Sequence, residues 1–383
     1  MSDFYPFAAF PDIEQESRAL FARNLAASRE MFGIEGACAS QANVAVAAGQ
    51  PLSLSGLLNE AGRHVGEAFR EDIRNFEKAL SAHSRENPAV LVTPVAGGGR
   101  LMIFHSDRFI HRNPEEGPAY ILEDANGALV RGVYLRDGLM DRPPEQGPAL
   151  RDFSGGMDLA AYYVKGRLHR DEAEGPAKII RDPVSGKILC ADFCRNGLLH
   201  RINGPATYEA HYRDEWVPEG HDMQREGWFR DGRIHRPSQD GPAVIDRDAA
   251  GNRLREIYVE NDRRHRDPAD GPAELAWRSD GKQTYAGYHV HGKLHREDGP
   301  AQHIEEDNSI RQCWWRHGLL SRDPFEGPAL IWLIKDERRS LVEYRVNGLL
   351  HRDPELGPAL ILCGVDGKPE SEEFWLNGEK ITP

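Results

Sequence analysis

Nine copies of the triplet Gly-Pro-Ala recur along this chain of 383 residues, and their spacing is nearly constant. Successive copies begin 30, 28, 29, 37, 30, 28, 28 and 30 residues apart. Such a period is typical of repeat proteins, in which each unit buries its apolar face only against its neighbours. The triplets begin at Gly117, Gly147, Gly175, Gly204, Gly241, Gly271, Gly299, Gly327 and Gly357.

Three other positions align with the triplets. An arginine precedes every triplet: Arg112, Arg142, Arg170, Arg201, Arg236, Arg266, Arg296, Arg322 and Arg352. The residue before it is histidine in seven units (His111, His169, His200, His235, His265, His295 and His351), with Asp141 and Ser321 as exceptions. Eight residues before the arginine lies an aromatic residue: Phe104, Tyr134, Tyr162, Phe193, Trp228, Tyr258, Tyr288, Trp314 and Tyr344.

A short hairpin is predicted between each aromatic residue and its histidine. Glycine stands four residues before the arginine in seven of nine units, and Asn or Asp often precedes it, as in Asn196-Gly197. This is the signature of a type I′ turn, which places the aromatic residue opposite the histidine, with both side chains on one face. The arginine, together with the apolar residue that precedes the histidine, is expected on the other face. Gly-Pro suits the corner where a strand changes partner, and a larger residue than Ala would not fit between stacked units.

We therefore predict a mainly β fold. It is an elongated antiparallel β-hairpin repeat array of about nine and a half repeats, each close to 30 residues long,. The final half-repeat contains Phe374 and Asn377-Gly378. The array is expected to occupy residues 98–383, behind an α-helical N-terminal module at residues 1–97.

The N-terminal module carries none of the repeat. Apolar residues recur there at steps of three and four, which predicts an amphipathic helix. Three roles stay open: capping the first repeat, self-association as a helical bundle, or lying on an apolar surface. The candidate self-association residues are Leu58, Val65, Phe69, Ile73, Phe76 and Leu80.

The aligned arginines and histidines are interpreted first as structural. Each guanidinium is expected to bind a carboxylate or the loop carbonyls of the adjacent turn and so fix the stacking; an anion-binding stripe is the alternative. Acidic residues directly before six triplets would neutralise such a stripe: Glu116, Glu174, Asp240, Asp270, Asp298 and Glu326. Metal binding and pH sensing are the alternatives for the histidines, but a metal site needs donors converging on one ion.

Composition disfavours several classes of function. The formal net charge of −13 disfavours a nucleic-acid or anionic-membrane partner,. The five scattered cysteines favour a reducing compartment over disulfides or a zinc site,. We see neither a secretory signal nor an apolar run long enough for a transmembrane helix. These features predict a cytoplasmic protein of bacterial type.

The sequence offers little for catalysis: it has no GxSxG, Walker or HExxH motif, and no Gly-x-Gly-x-x-Gly that opens a helix after a strand,. Cys194 and His200 lie close in the chain, but nothing distinguishes their unit from the others. The longest interval between triplets holds an insertion at residues 207–227, for which we weigh a partner-binding loop against a neutral surface insertion. The candidate partner-binding residues in it are Glu215, Trp216, Glu219 and His221.

The repeat units resemble a known class of repeat, and two of them illustrate this: Tyr163-Val-Lys-Gly-Arg-Leu-His-Arg and Tyr344-Arg-Val-Asn-Gly-Leu-Leu-His-Arg-Asp-Pro-Glu-Leu-Gly-Pro-Ala. Over residues 100–383 they resemble the MORN-variant hairpin repeats of bacterial proteins, although MORN repeats are shorter and lack the His-Arg and Gly-Pro-Ala elements. The resemblance implies an interaction scaffold; some MORN-like proteins bind lipid, and the bacterial variants include antitoxins. The N-terminal helices faintly resemble those of phasins, the proteins of storage granules.

These observations lead to three functional hypotheses. The first is a non-catalytic scaffold or toxin-neutralising partner for a protein with a basic surface, without cofactor or metal. The second is a structural or surface-coating protein, associated with a granule or particle, that assembles into homo-oligomers through its helices. The third is an enzyme with its site in the 207–227 insertion.

Overall fold

The computed structural model describes residues 89–382, apart from residues 95–96, 107–108 and 213–222. The predicted helical module and its six candidate self-association residues lie outside the described residues. Through the described part, the chain forms antiparallel strands, turns and four 3-10 helices, with no α-helix. The prediction of a mainly β, antiparallel hairpin fold is confirmed for this part. The 3-10 helices are Pro144–Gln146, Ser154–Gly156, Ser238–Asp240 and Pro354–Leu356.

The chain divides into two compact units. The first comprises Met1–Ala210 with Arg230–Gly232, and the second comprises His211–Phe229 with Arg233–Pro383. The first strand, Ala89–Pro94, precedes the boundary that the sequence places at residue 98 and pairs with Arg100–Ser106.

Apart from Thr207–Tyr212, for which we describe the pairing with Ile188–Asp192, the strand after each triplet has two antiparallel partners. In the first unit, Lys178–Arg181 pairs with Asp158–Ala161 and with Ile188–Asp192. In the second, Leu360–Cys363 pairs with Arg339–Glu343 and with Pro369–Leu376. The other long strands of the first unit are Tyr120–Glu123, Leu129–Val133 and Leu150–Asp152, and Thr207–Tyr212 begins there. Those of the second are Met223–Gly227, Val244–Arg247, Arg253–Ile257, Glu274–Trp277, Gln283–Gly287, Gln302–Glu305, Ser309–Cys313 and Leu330–Ile334.

Short hairpins alternate with these long strands, as the sequence predicts. The turn residues Asn196 and Gly197 have φ values of 52° and 85°, so both central positions are left-handed, as a type I′ turn requires,. His169 N–H donates to the Tyr162 carbonyl over 3.0 Å, which confirms the predicted register. The hairpin strands are Phe109–Ile110, Leu135–Arg136, Leu139–Met140, Tyr163–Val164, Arg167–Leu168, Cys194–Arg195, Leu198–Leu199, Phe229–Arg230, Arg233–Ile234, Val259–Glu260, Arg263–Arg264, His289–Val290, Lys293–Leu294, Trp315–Arg316, Leu319–Leu320, Arg345–Val346, Leu349–Leu350 and Glu379–Ile381.

The core lies between the hairpins and the long strands. In the first unit, Leu135 and Met140 of one hairpin belong to the same apolar cluster as Val133, Leu150 and Leu159 of the long strands. The alanine of every triplet is 0% exposed, which supports the argument that a larger side chain would not fit there,. The nine are Ala119, Ala149, Ala177, Ala206, Ala243, Ala273, Ala301, Ala329 and Ala359.

Candidate functional site

Each aligned arginine lies over the aromatic ring of its own repeat unit, which we call a module and number from 1 (Arg112) to 9 (Arg352). In module 3, the Arg170 guanidinium carbon is 3.9 Å from the centroid of the Tyr162 ring. The same stacking occurs in all nine modules, at 3.7 to 4.3 Å. Cation–π attraction of this kind is strongest when the pair is shielded from water.

The other contact of the guanidinium is the triplet itself. Arg142 Nη1 donates to the Pro148 carbonyl over 2.9 Å, and all nine arginines make the equivalent bond, at 2.9 to 3.3 Å. The glycine of the triplet faces the same group: a Cβ on Gly327 would lie 2.7 Å from Arg322 Nη1. Together the ring, the guanidinium and the triplet form a closed contact, which we call the cradle.

This geometry corrects one expectation about the arginines. We expected the arginine on the face opposite the aromatic ring, but its side chain covers that ring. The side chain binds loop carbonyls, one of the two partners that the sequence suggested, and they belong to its own module. Contact with the next module is made by the arginine backbone: Arg142 N–H donates to the Tyr163 carbonyl over 3.1 Å.

The histidines join one module to the next. Asn196 N–H, at the turn of module 4, donates to His169 Nδ1 of module 3 over 3.1 Å. The same bond is made to all seven aligned histidines, at 3.0 to 3.3 Å. At the two exceptions, Asp141 Oδ1 accepts from Lys165 N–H and Ser321 Oγ accepts from Asn347 N–H, both at 3.0 Å. The shared requirement at this position is therefore a hydrogen-bond acceptor.

We call each of these contacts a junction. A second backbone bond accompanies it, from the next turn position to the residue before the histidine, such as Gly197 N–H to the Leu168 carbonyl at 2.8 Å. The backbone donor occupies Nδ1 of each imidazole, so this nitrogen is not available as a metal ligand,. Among the described residues, no group of three or more His, Cys, Asp or Glu side chains could hold a metal.

The carboxylates that directly precede the triplets are not part of the cradle, unlike the arginines beside them. All six are exposed. Their interactions with the aligned arginines are weak: Arg170 Nε and Glu174 form an ion pair at 3.9 Å, beyond hydrogen-bond distance, and Asp240 attracts Arg236 electrostatically,. We call this set the acidic loop row: Glu116, Glu174, Asp240, Asp270, Asp298 and Glu326. Acids just after the arginine have a local task instead, since Asp171 Oδ1 accepts from Ala173 N–H at 2.9 Å,.

Sequence reasoning missed the buried charges beneath the hairpins. In the first unit, Lys178 Nζ lies 3.2 Å from Asp192 Oδ2, and Thr207 Oγ1 donates to Asp192 Oδ1 over 2.7 Å. In the second, Glu274 is 1% exposed and lies between Arg255 (2.9 Å) and Arg264 (3.0 Å). Burial alone would raise the pKa of Glu274, but the two guanidinium charges lower it,. Arg264 could have been noticed, because the residue before the histidine is otherwise apolar.

The buried thiols are poorly suited to nucleophilic chemistry. Cys190 and Cys194 are buried, and this burial raises the pKa of both thiols well above its ordinary value. The reactive thiolate is therefore disfavoured. His200, which lies near Cys194 in the chain, has its Nδ1 committed to the Asp231 N–H at 3.2 Å.

The predicted partner-binding residues Glu215, Trp216, Glu219 and His221 lie outside the described residues. Within the described part, no helix is long and apolar enough to cross a membrane.

Comparison with known proteins gives no family assignment. The sequence matches no protein-family profile and no curated protein. One similar solved structure is that of the computationally designed Ika8 protein, at 13% identity and a TM-score of 0.13, covering 73% of this chain and 92% of that one. Another is TcdB2-TccC3-TEV, at 11% identity and a TM-score of 0.11, covering 77% of this chain and 17% of that one. Scores this low carry no conclusion about fold or function.

Proposed function

We propose that this protein is a non-catalytic binding scaffold for a protein partner with a basic surface. The observation that carries the proposal is the acidic loop row. Each of these carboxylates stands beside an aligned arginine that is already engaged by an aromatic ring and a proline carbonyl. The carboxylates therefore stay available to a cationic partner.

Different residues of a module have different tasks, and this supports a binding role for the acidic loop row. The aromatic residue, arginine, glycine and alanine hold the module together, and the histidine joins it to the next. The acidic residue of the loop has no such task and faces solvent. Repeat proteins commonly bind partners through exposed positions of this kind, on a framework that the repeated residues maintain.

Electrostatics favours a basic partner. Each module adds two strands, so the successive loop carboxylates of the second unit, which lie in consecutive modules, are expected about 10 Å apart, from the usual strand spacing. This distance is close to the Debye length of about 8 Å at physiological ionic strength, so neighbouring carboxylates reinforce one another's field. With a net charge of −13, the chain would attract such a partner and repel polyanions,.

The resemblance to bacterial MORN-variant repeats suggests the biological form of this scaffold. A toxin-neutralising partner, such as an antitoxin or immunity-type protein, would bind a toxin or nuclease whose own surface is basic. The framework of hairpins requires no cofactor for this role.

The test compares two sets of three neutral substitutions in the second unit. The first set, Asp240→Asn, Asp270→Asn and Asp298→Asn, removes three successive members of the acidic loop row. The control set, Glu337→Gln, Glu372→Gln and Glu379→Gln, removes the same charge from exposed positions elsewhere. Binding of a fluorescein-labelled oligolysine peptide is measured by anisotropy, and proteins captured from cell extract by each full-length variant are identified by mass spectrometry.

We expect the loop variant to bind the peptide about tenfold more weakly than the control variant, from a modest loss for each exposed ion pair. It should also lose a basic protein that the control retains. Equal binding by the two variants would refute the acidic loop row as the binding surface. A captured protein that neither variant loses would also count against it.

A further inference from the structure

The junctions differ in what surrounds the histidine. Every aligned histidine accepts a backbone N–H at Nδ1, so this nitrogen must be unprotonated,. Protonation would place an N–H against another N–H and remove the bond. Whether the junction tolerates this depends on the turn residue of the next module, which lies beside the imidazole.

Two junctions of the first unit provide a carboxylate there. Asp137 Oδ1 lies 3.1 Å from His111 Nδ1, and Asp231 Oδ1 lies 3.1 Å from His200 Nδ1. A proton added to either imidazole would form an ion pair with this oxygen, which offsets the lost backbone bond. At three other junctions the turn residue is the neutral Asn196, Asn261 or Asn377.

Two junctions of the second unit provide a second imidazole instead. The rings of His265 and His291 are parallel within 7°, with centroids 4.4 Å apart. The rings of His295 and His317 are parallel within 16°, with centroids 4.3 Å apart. When both rings of a pair are protonated, two like charges face each other at this separation.

Other charged groups also lie near these pairs. His295 faces His317 and Arg316 of the next module and Glu297 of its own loop, and burial together with His317 lowers the pKa of His295. His265 occupies the same position in the preceding module. There Asp267 corresponds to Glu297, and the uncharged Val290 corresponds to Arg316.

We propose that the His265–His291 and His295–His317 junctions are acid-labile joints, which open on mild acidification before the other junctions of the second unit. The two joints flank the hairpin of module 7, His289–Val290 and Lys293–Leu294, so acid would release this hairpin from both neighbours. Histidine side chains in general change charge between pH 5 and pH 8, which sets the range of the test.

Hydrogen exchange of the full chain tests the proposal directly. Exchange is measured by mass spectrometry at pH 7 and pH 5 and corrected for the intrinsic rate at each pH. The reporters are the junction amides of His291, Gly292, His317 and Gly318. The internal control is the Ser321–Asn347 junction, which has the same backbone bonds but no imidazole.

We expect the opening equilibrium at the four reporter amides to rise about tenfold more than at Asn347 and Gly348. A rise of this size corresponds to the loss of one or two hydrogen bonds together with repulsion between like charges. An equal rise at Asn347 would refute the proposal, and so would no rise at the reporters.

Two sets of variants identify the cause. The substitutions His265→Ser and His295→Ser copy the acceptor found at Ser321 and should abolish the acid response while keeping the junction. The substitutions His291→Asn and His317→Asn copy Asn261 and Asn347, which share the left-handed turn conformation, and should reduce the response to that of the His235–Asn261 junction. An unchanged response in either set would overturn the proposal; if the serine variants fail to fold at pH 7, the asparagine variants still decide it.

Discussion

At the scale of single residues, the structure explains why the triplet begins with glycine. Two separate requirements meet at this position. The backbone is left-handed, with φ of 135° at Gly327, and the space that a Cβ would occupy is filled by the Arg322 guanidinium. A side chain would therefore be strained by the backbone and would also push the arginine off its aromatic ring.

These two requirements can be separated by substitution. Gly327→Ala adds both the backbone strain and the clash, whereas Gly251→Ala adds only the strain, because φ is 88° there and nothing lies within 4 Å of the added Cβ. We expect Gly251→Ala to lower the free energy of unfolding by about 1 kcal/mol and Gly327→Ala by roughly 3 kcal/mol, from the usual cost of left-handed alanine and of overpacking. Urea unfolding followed by tryptophan fluorescence measures both. Equal losses would show that the cradle tolerates a methyl group.

At the scale of secondary-structure elements, one hairpin strand buries a histidine at a position where other hairpins bury an apolar residue. His289, in the strand His289–Val290, stands where the hairpins of modules 2 and 6 have Leu135 and Val259. It lies near Glu274 and Arg264, and burial lowers the pKa of His289 to about 4. The hairpin thus buries a neutral imidazole beside charged groups.

This burial predicts a pH dependence with a definite sign. The unfolded chain binds a proton at His289 near pH 6.5, whereas the folded chain does so only near pH 4,. Stability from this residue is therefore complete above pH 6.5 and falls as the pH drops toward 4. We expect His289→Val to reduce the loss of unfolding free energy between pH 7 and pH 5 by about 2 kcal/mol. Urea unfolding of both proteins at the two pH values measures it, and parallel losses would contradict the prediction.

The comparison of sequence with structure is clearest at the hairpins. The Asn-Gly and Asp-Gly pairs predicted the type I′ turns and the pairing of Tyr162 with His169, because both depend on local geometry alone. Alternation along the strand placed the arginine on the wrong face, since Arg170 comes after the two-residue strand Arg167–Leu168, where strict alternation no longer applies. The acceptor role of the histidines depends on the neighbouring module, so the spacing within one module could not show it. The acidic residues before the triplets were visible in the sequence, but the weakness of their contacts with the arginines was not.

At the scale of the whole molecule, the two units each bury thiols that can report on opening. Cys190 and Cys194 are buried in the first unit and Cys313 is buried in the second, while Cys363 is half-buried. Burial raises the pKa of the three buried thiols. Each unit therefore contains its own chemical reporter of unfolding.

Alkylation should separate these thiols by rate. Under native conditions at pH 7.5, we expect iodoacetamide to modify Cys363 at least about a hundredfold faster than Cys190, Cys194 or Cys313, which react only when their unit opens. Peptide mass spectrometry over a time course gives each rate. In concentrated urea the four rates should become similar, which serves as the control. Rapid native labelling of Cys313 would contradict the packing described for the second unit.

The junctions have a consequence for how such a chain could change its length. The donor at each junction is a main-chain amide of the following turn, so the acceptor does not depend on which side chain that turn carries. The cradle, in turn, is completed within one module. Tandem duplication or loss of a whole module would thus preserve the cradle and junction bonds of the modules that remain. The length of such a chain could therefore change by whole modules, while the loop of each module varies independently of the others.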